Sequence, residues 1–228
     1  IGAVSNQGST WNNFQLSYTD FTICGGNPTK IHIENIKLFT DNIDGYALYT
    51  KETQVTMKNV TIDGYSFRAV DHNSAPWNAD SYYQTRPTVT MESKGGALRI
   101  RDAVYNPAHS SASPTLDNVT VTNCCRGPRI QDTSGFYGKK CNIVQADGAP
   151  CSVSDNALYF AAGNYTSSTG CTNCVFDDCD VTNAGQCAFQ SIGGSNNSFI
   201  NCKVDGSRGA AVSCFNTNGT ITIDACSF

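Results

Sequence analysis

The chain has 228 residues, of which 15% are charged, and a formal net charge of −4 at pH 7. This balance argues against a dedicated nucleic-acid-binding protein, which needs a basic footprint. The sequence has no run of about 18 apolar residues and opens with no basic and apolar leader, so it predicts neither a membrane span nor an uncleaved signal peptide.

A repeated sequence motif covers most of the chain. Residues 1–30 are predicted to form an irregular segment or a first coil, and the motif then recurs throughout 31–228. It consists of a short β-type run, an Asn or Asp, a second β-type run and a turn, as in VTMKNVTIDG at 55–64. The pattern is typical of stacked units.

The spacing of the central Asn or Asp gives the size of the unit. Asn35 and Asn59 are 24 positions apart, and Asp178 and Asn201 are 23 apart. The intervals from Asn59 to Asn118 and from Asn118 to Asp178 are 59 and 60. We interpret each long interval as at least one further unit plus an insertion, and we expect the amides to hydrogen-bond along the stack.

The unit predicts a particular solenoid. Apolar and polar residues alternate on both sides of Asn59, which marks a bend, and a third short run follows each turn. Three short strands per coil of about 23–24 residues predict an all-β, right-handed parallel β-helix with little or no helix. An antiparallel β-sandwich is the alternative, because it also has many short strands. The strand-like end at Phe228 leads us to expect a fragment of a larger chain.

Seven of the 12 cysteines fall into two groups. Cys179, Cys202 and Cys226 fall one residue after the bend, where we expect free thiols stacked inside the solenoid. Two pairs flank loops and are disulfide candidates, with a metal clip at the second pair as the weaker alternative: Cys141 with Cys151, and Cys171 with Cys174.

Three stretches interrupt the repeat and are expected as loop insertions. They cover 74–87, 105–114 and 133–150, and we expect all three to leave one corner after the third strand. Loops that cluster on one face of a solenoid build walls around an extended ligand.

The strands beside these loops carry the candidate site. In GGALRIRD, Leu98 and Ile100 are expected to point inward, so that Arg99 and Arg101 point outward. Aspartates follow at the corner, and aromatic residues lie in the loops. We predict four catalytic candidates, Asp71, His72, Asp102 and Asp132, and eight substrate-binding residues, Arg99, Arg101, Arg129, Gln131, Tyr137, Lys139, Tyr159 and Trp77.

This set of side chains suits a polysaccharide. Aromatic faces pack against sugar rings, arginines bind carboxylates or sulfates bidentately, and paired aspartates serve as acid and nucleophile or base. With a uronic acid, His72, Tyr137 or Lys139 is the candidate base that removes the C5 proton. The alternative is that Asp102 and Asp132 form surface salt bridges with Arg101 and Arg129.

The repeat with its Asn column resembles the right-handed parallel β-helix superfamily, which includes pectate-lyase-like lyases, galacturonases, uronan epimerases and phage tailspikes. The resemblance implies a polysaccharide lyase or glycosidase at the cell exterior or virion surface, and a homotrimer if it is a tailspike. The sequence shows no calcium-binding motif, so we expect no cofactor, with calcium as the open alternative. A non-catalytic adhesin or structural spike is the competing function.

Overall fold

Parallel strands wind around a common core. The structure is a computed structural model, and it describes residues 9–12, 15–17, 21–39, 46–63, 96–122, 124, 126–144, 156–163, 170–184, 187–207, 209–215 and 217–228. Within these ranges the fold is an all-β parallel β-helix, and they contain no helix. All pairings between the strands are parallel, so the β-sandwich alternative is excluded.

The coils share three faces, numbered in the order in which the chain visits them. The strands are β1 (Ser9–Asn12), β2 (Gln15–Ser17), β3 (Phe21–Glu34), β4 (Lys37–Phe39), β5 (Tyr46–Asp63), β6 (Gly96–Arg101), β7 (Leu116–Thr122), β8 (Pro128–Gln131), β9 (Tyr137–Lys139), β10 (Asn142–Val144), β11 (Leu158–Ala161), β12 (Val175–Asp177), β13 (Asp180–Ala184), β14 (Phe189–Ile192), β15 (Asn197–Ile200), β16 (Lys203–Ser207), β17 (Val212–Phe215) and β18 (Ile221–Asp224). The first face contains β1, β9, β12, β15 and β18, the second contains β2, β4, β10, β13 and β16, and the third contains β6, β8, β11, β14 and β17. The longer β3, β5 and β7 bend from one face to the next.

The Asn column lies at the bend between the first and second faces, as predicted. Asn35, Asn59 and Asn118 have φ angles of 55°, 52° and 56°, in the left-handed region that asparagine tolerates better than most residues. The Asn59 amide donates to Asn35 Oδ1 at 3.1 Å, and the Asn118 amide donates to Asn59 Oδ1 at 2.8 Å. The predicted amide ladder is therefore confirmed for these three coils.

The ladder also corrects the count of coils. Asn118 lies directly beside Asn59, so the interval between them holds one coil with a long connection and not an extra coil. The next interval does hold one more coil, whose bend residue is Lys140, with a φ angle of 53°. The first interval misled because the 32 residues between β5 and β6 exceed the length of a whole coil.

The core changes in character along the solenoid. The early coils bury aliphatic side chains such as Ile31, Val55 and Ile100, each at most 2% exposed. The later coils bury phenylalanine rings, and the Phe160–Phe176 and Phe189–Phe199 pairs stack with centroids 4.9 Å apart. Each ring contacts the coil above or below, so the stack joins successive coils through dispersion and apolar burial.

Four of the described cysteines pack as thiols inside the second face. Cys141, Cys179, Cys202 and Cys226 lie in register on successive coils and are all free. The free-thiol prediction is confirmed for the last three residues. Burial raises the pKa of Cys179 well above its usual value, which keeps that thiol protonated.

The disulfide predictions are wrong where the structure describes the residues. Cys141 is a free thiol inside the core column, and Cys151 lies outside the described residues. Cys171 and Cys174 are also free, and each thiol donates to a carbonyl on another coil. The acceptors are Ile130 O at 3.1 Å and Thr133 O at 3.3 Å.

The three predicted insertions do not share one corner. Stretch 105–114 does leave the corner after the third face, between β6 and β7. Stretch 133–150 contributes strands to the solenoid and is not simply a loop, since it contains β9 on the first face and β10 on the second. Stretch 74–87 lies outside the described residues.

The outer side of the first face carries an alternating charge column. Its members on successive coils are Glu34, Lys58, Asp117, Lys139 and Asp177. Lys58 Nζ lies 3.5 Å from Glu34 Oε1, and Lys139 Nζ lies 3.7 Å from Asp117 Oδ2. Opposite charges on adjacent strands are the favourable arrangement. Across the described ranges, no helix has the length and hydropathy needed to cross a bilayer.

Candidate functional site

The third face presents two outward columns of side chains. Its strands share a short pattern, seen in ALYTKE at 47–52, ALRIRD at 97–102 and ALYFAA at 157–162. Leu48, Leu98 and Leu158 point inward and are fully buried. One outward column is Tyr49, Arg99, Arg129, Tyr159 and Gln190, and the other is Lys51, Arg101, Gln131 and Ala161. We call the outer side of this face, together with Tyr46, the arginine–tyrosine face.

Arg99 lies at the centre of this face. Its Cζ is 5.2 Å from the Tyr49 ring centroid and 5.9 Å from the Tyr46 ring centroid, both within cation–π range. Its Nε and Nη2 groups donate to Gln131 Oε1 at 3.0 and 2.6 Å. Burial and then the like charge of Arg129 lower the pKa of Arg99, but a guanidinium remains charged at neutral pH.

No ion pair joins Arg99 to a carboxylate among the described residues. Its hydrogen-bond acceptor is the neutral amide of Gln131, and the nearby charges of Arg129 and Arg101 repel it. Arg99 and Arg101 on one coil and Arg129 on the next therefore place three positive charges on two adjacent coils. Stacked arginines need an anionic ligand or a counter-charge to offset this repulsion.

The remaining predicted members of this face are more buried than expected. Gln131 is 2% exposed and Tyr159 is 5% exposed, although both point away from the core. The Arg129 Cζ lies 5.2 Å from the Tyr159 ring centroid. These two residues therefore support the guanidinium groups of Arg99 and Arg129, and the accessible part of the face lies around the arginines, Tyr49 and Lys51.

A column of acids follows the third face at its corner with the first. Glu52, Asp102 and Asp132 occupy equivalent positions on successive coils, with φ angles of 53°, 54° and 46°. Asp102 Oδ2 lies 3.2 Å from Arg101 Nε. Asp132 accepts from Gln131 Nε2 at 3.2 Å and from the Gly163 backbone N–H at 2.9 Å.

The structure therefore brings Asp102 and Asp132 to one corner beside the arginines, as predicted. The alternative of a surface salt bridge applies to Asp102, whose partner is Arg101 as that alternative requires. Asp132 is held instead by an amide and a backbone N–H.

Tyr137 and Lys139 lie on a different face from the arginines. Both belong to β9 on the first face, because 133–150 forms strands there. The Tyr137 hydroxyl donates to Asp177 Oδ2 at 2.5 Å, and burial and this carboxylate raise the pKa of Tyr137 to about 12. The expected grouping of these two residues with Arg99 is wrong.

Asp71, His72 and Trp77 lie outside the described residues. The structure adds Tyr46, Tyr49, Lys51 and Glu52 to the face, which sequence reasoning missed. The signal was available, because ALYTKE and ALRIRD align residue for residue. The repeat defined by the central Asn covers only the strands of the first and second faces, so it did not reveal this third-face pattern.

The described residues contain no cluster of three or more His, Cys, Asp or Glu side chains arranged to hold a metal ion. Comparison of the chain with protein-family models, with curated proteins and with solved structures found no match.

Proposed function

We propose that the protein binds an acidic polysaccharide along the arginine–tyrosine face. The observation that supports this proposal is Arg99, which lies within cation–π range of two tyrosine rings of the preceding coil and has a neutral amide as its hydrogen-bond acceptor. A guanidinium has five N–H donors, and Gln131 occupies only the Nε side. The outer edge of the group is then oriented for a carboxylate or sulfate.

The neighbouring side chains favour an extended ligand over a small anion. Lys51 lies on the coil before Arg99, Arg101 on the same coil and Arg129 on the coil after it. Lys51 and Arg101 each have an ion pair at 3.2 Å, with Glu52 and Asp102, so an anionic polymer competes with these acids for the two cations. Coils repeat about every 4.8 Å, so the cations form a track with Tyr49 at one end. A polymer with an anionic group on successive sugars matches such a track, and the aromatic face adds apolar contact.

Cleavage of the bound polymer is the second candidate function, and the register of Asp102 and Asp132 favours it. Equivalent Cα atoms on adjacent coils lie about 5 Å apart, so the two side chains can bring their carboxyl groups to a separation of about 5–9.5 Å, the range used by glycosidases. Elimination is less well supported by the described residues. Tyr137, with its pKa raised to about 12, stays protonated at neutral pH and is a poor base.

The resemblance to parallel β-helix proteins extends the proposal to its setting. We place the polysaccharide on a cell surface and the protein outside the cell or on a virion, with a homotrimer as the proposed assembly if it is a tailspike. A non-catalytic adhesin uses the same binding face without turnover.

Binding is tested by titrating polygalacturonate, chondroitin sulfate and neutral dextran into the protein at one fixed ionic strength. We expect the two anionic polymers to bind and dextran not to. Arg99→Gln should weaken binding by about 10- to 100-fold, the value of a hydrogen-bonded charge pair. Lys203→Gln, at an exposed lysine on the second face, is the matched control and should change affinity less than twofold. Equal losses in both variants would mean that only net charge matters.

Cleavage is tested by incubating the same polymers and measuring new reducing ends and unsaturated uronates. Asp102→Asn and Asp132→Asn should each abolish reducing-end release while binding remains. Binding without any release identifies an adhesin. Release that survives both substitutions overturns the assignment of these two aspartates.

A further inference from the structure

A column of four thiols runs through the core inside the second face. Its members lie one residue after the bend on successive coils, and all are free: Cys141, Cys179, Cys202 and Cys226. Each thiol is directed to the backbone carbonyl two residues earlier, at 3.8, 3.3, 3.2 and 3.4 Å in chain order. Because this contact repeats, the four side chains are oriented alike, and their sulfur atoms are stacked with the spacing of the coils.

The surroundings of the thiol column are apolar. Cys141, Cys179 and Cys202 are at most 1% exposed, and Cys226 is partly buried against the same core. Burial raises the pKa of Cys179 and of Cys226, so bare thiolates do not form there at neutral pH. A thiol in this column ionises only if a cation takes the place of its proton.

The spacing of the column is long for a disulfide but suits a metal ion between two sulfur atoms. Coils repeat about every 4.8 Å. A zinc–thiolate bond is about 2.3 Å long, and an ion that makes two such bonds in a straight line needs sulfur atoms about 4.6 Å apart. The side chains are parallel, so the ion would lie along the stack, nearly at a right angle to each Cβ–Sγ bond. Divalent sulfur favours such a bent arrangement.

The arrangement also selects the class of ion. The four sulfur atoms lie in a row and do not converge on one point, so they do not form the tetrahedron of ligands that zinc takes. Soft cations with a filled d shell, such as Cu⁺, Ag⁺ and Hg²⁺, bind thiolates and accept two of them in line. With two thiolates Hg²⁺ forms a neutral unit, whereas a monovalent ion leaves a net negative charge in the core, which is costly.

We propose that neighbouring thiols of this column bind a soft divalent cation such as Hg²⁺ in linear two-coordination. This property goes beyond polysaccharide binding and does not depend on it. On binding, two S–H bonds break, two sulfur–metal bonds form and two protons leave for the solvent, with no transfer of electrons. One sulfur atom cannot lie in line between two ions, because its bonds are bent. The four thiols therefore hold at most two ions.

The test counts the mercury that the reduced protein retains. The protein is incubated with HgCl₂ until uptake stops and is then gel-filtered in excess glutathione, a monothiol that removes ions held by one sulfur atom. We expect the wild type to retain two more ions than the double variant Cys179→Ser/Cys226→Ser, in which no two thiols of the column are neighbours. The other cysteines are the same in both proteins, so the difference reports the column.

A second double variant is the matched control. Cys141→Ser/Cys226→Ser removes the same number of thiols but leaves Cys179 beside Cys202. It should retain one ion more than Cys179→Ser/Cys226→Ser. Far-UV circular dichroism and the urea midpoint show whether both variants fold like the wild type. X-ray absorption of the mercury retained by the wild type needs no variant and should show two sulfur neighbours for each ion.

Two results would overturn the proposal. Equal retention by the two double variants would mean that the number of thiols, and not their pairing on adjacent coils, determines uptake. Three or more sulfur neighbours around the mercury retained by the wild type would rule out linear coordination between two stacked thiols.

Discussion

Replacing Lys140 with asparagine should stabilise the protein. Lys140 is exposed and occupies the bend position of the Asn column with a φ angle of 53°. A side chain with a Cβ pays about 1–2 kcal/mol in this region, and asparagine pays less because it is adapted to it. In Lys140→Asn the new amide also lies next to Asn118, in the position from which Asn118 itself donates to Asn59.

The expected gain combines these two contributions. Relief of the backbone contributes about 1 kcal/mol, and an exposed ladder hydrogen bond adds about 0.5 kcal/mol. For a chain of this size, about 1.5 kcal/mol corresponds to a rise in Tm of roughly 3–6 °C. Lys140→Gly separates the contributions, because it relieves the backbone without extending the ladder.

Urea unfolding followed by far-UV circular dichroism measures the change, with thermal melts as a second readout. Lys203→Asn is the matched control, since Lys203 is exposed in a strand and has no left-handed φ angle. We expect that variant to lie within about 0.5 kcal/mol of the wild type. The reasoning is refuted if Lys140→Asn is neutral or destabilising, or if both lysine variants gain equally.

Two further predictions follow from the core and the first face. Phe176→Ala removes a ring that stacks on Phe160 at 4.9 Å and on Phe199 at 6.1 Å, so it should cost about 3–5 kcal/mol in urea unfolding; a loss below 1 kcal/mol would contradict a packed ring stack. Tyr137, with its pKa raised to about 12, should ionise well above an ordinary tyrosine in an ultraviolet absorbance titration, and Tyr137→Phe should remove that late step. Because the folded pKa is the higher one, the stabilisation linked to Tyr137 is complete below about pH 10 and is lost as pH rises towards 12. An ordinary titration of Tyr137 would contradict the hydrogen bond to Asp177.

The structural features that recur on each coil could be predicted from the sequence. The spacing of Asn35, Asn59 and Asn118 predicts one column because the same bend recurs on successive coils, and asparagine is suited to its left-handed conformation. The outward direction of Arg99 and Arg101 was readable for a similar reason, since alternation fixes which side of a strand a residue faces.

Features that depart from the repeat could not be predicted from the sequence. Lys140 occupies a bend position where the repeat predicts asparagine or aspartate, so the sequence pattern indicates a loop there and not a coil of the solenoid. For this reason the sequence places Tyr137 and Lys139 beside the arginines, whereas they lie on the first face. The thiol pairing failed for a different reason. Cys171 and Cys174 are close in sequence, but each is directed to its own carbonyl, and carbonyl positions depend on the stacking of coils.

The alternating charges of the first face have a consequence for folding. In a repetitive chain, a coil that skips its neighbour can pair with the next one and still satisfy its backbone. Here such a slip would set Asp117 against Glu34, or Lys139 against Lys58, and so bring like charges together. The column therefore penalises mispaired intermediates and helps the chain to wind in the correct order.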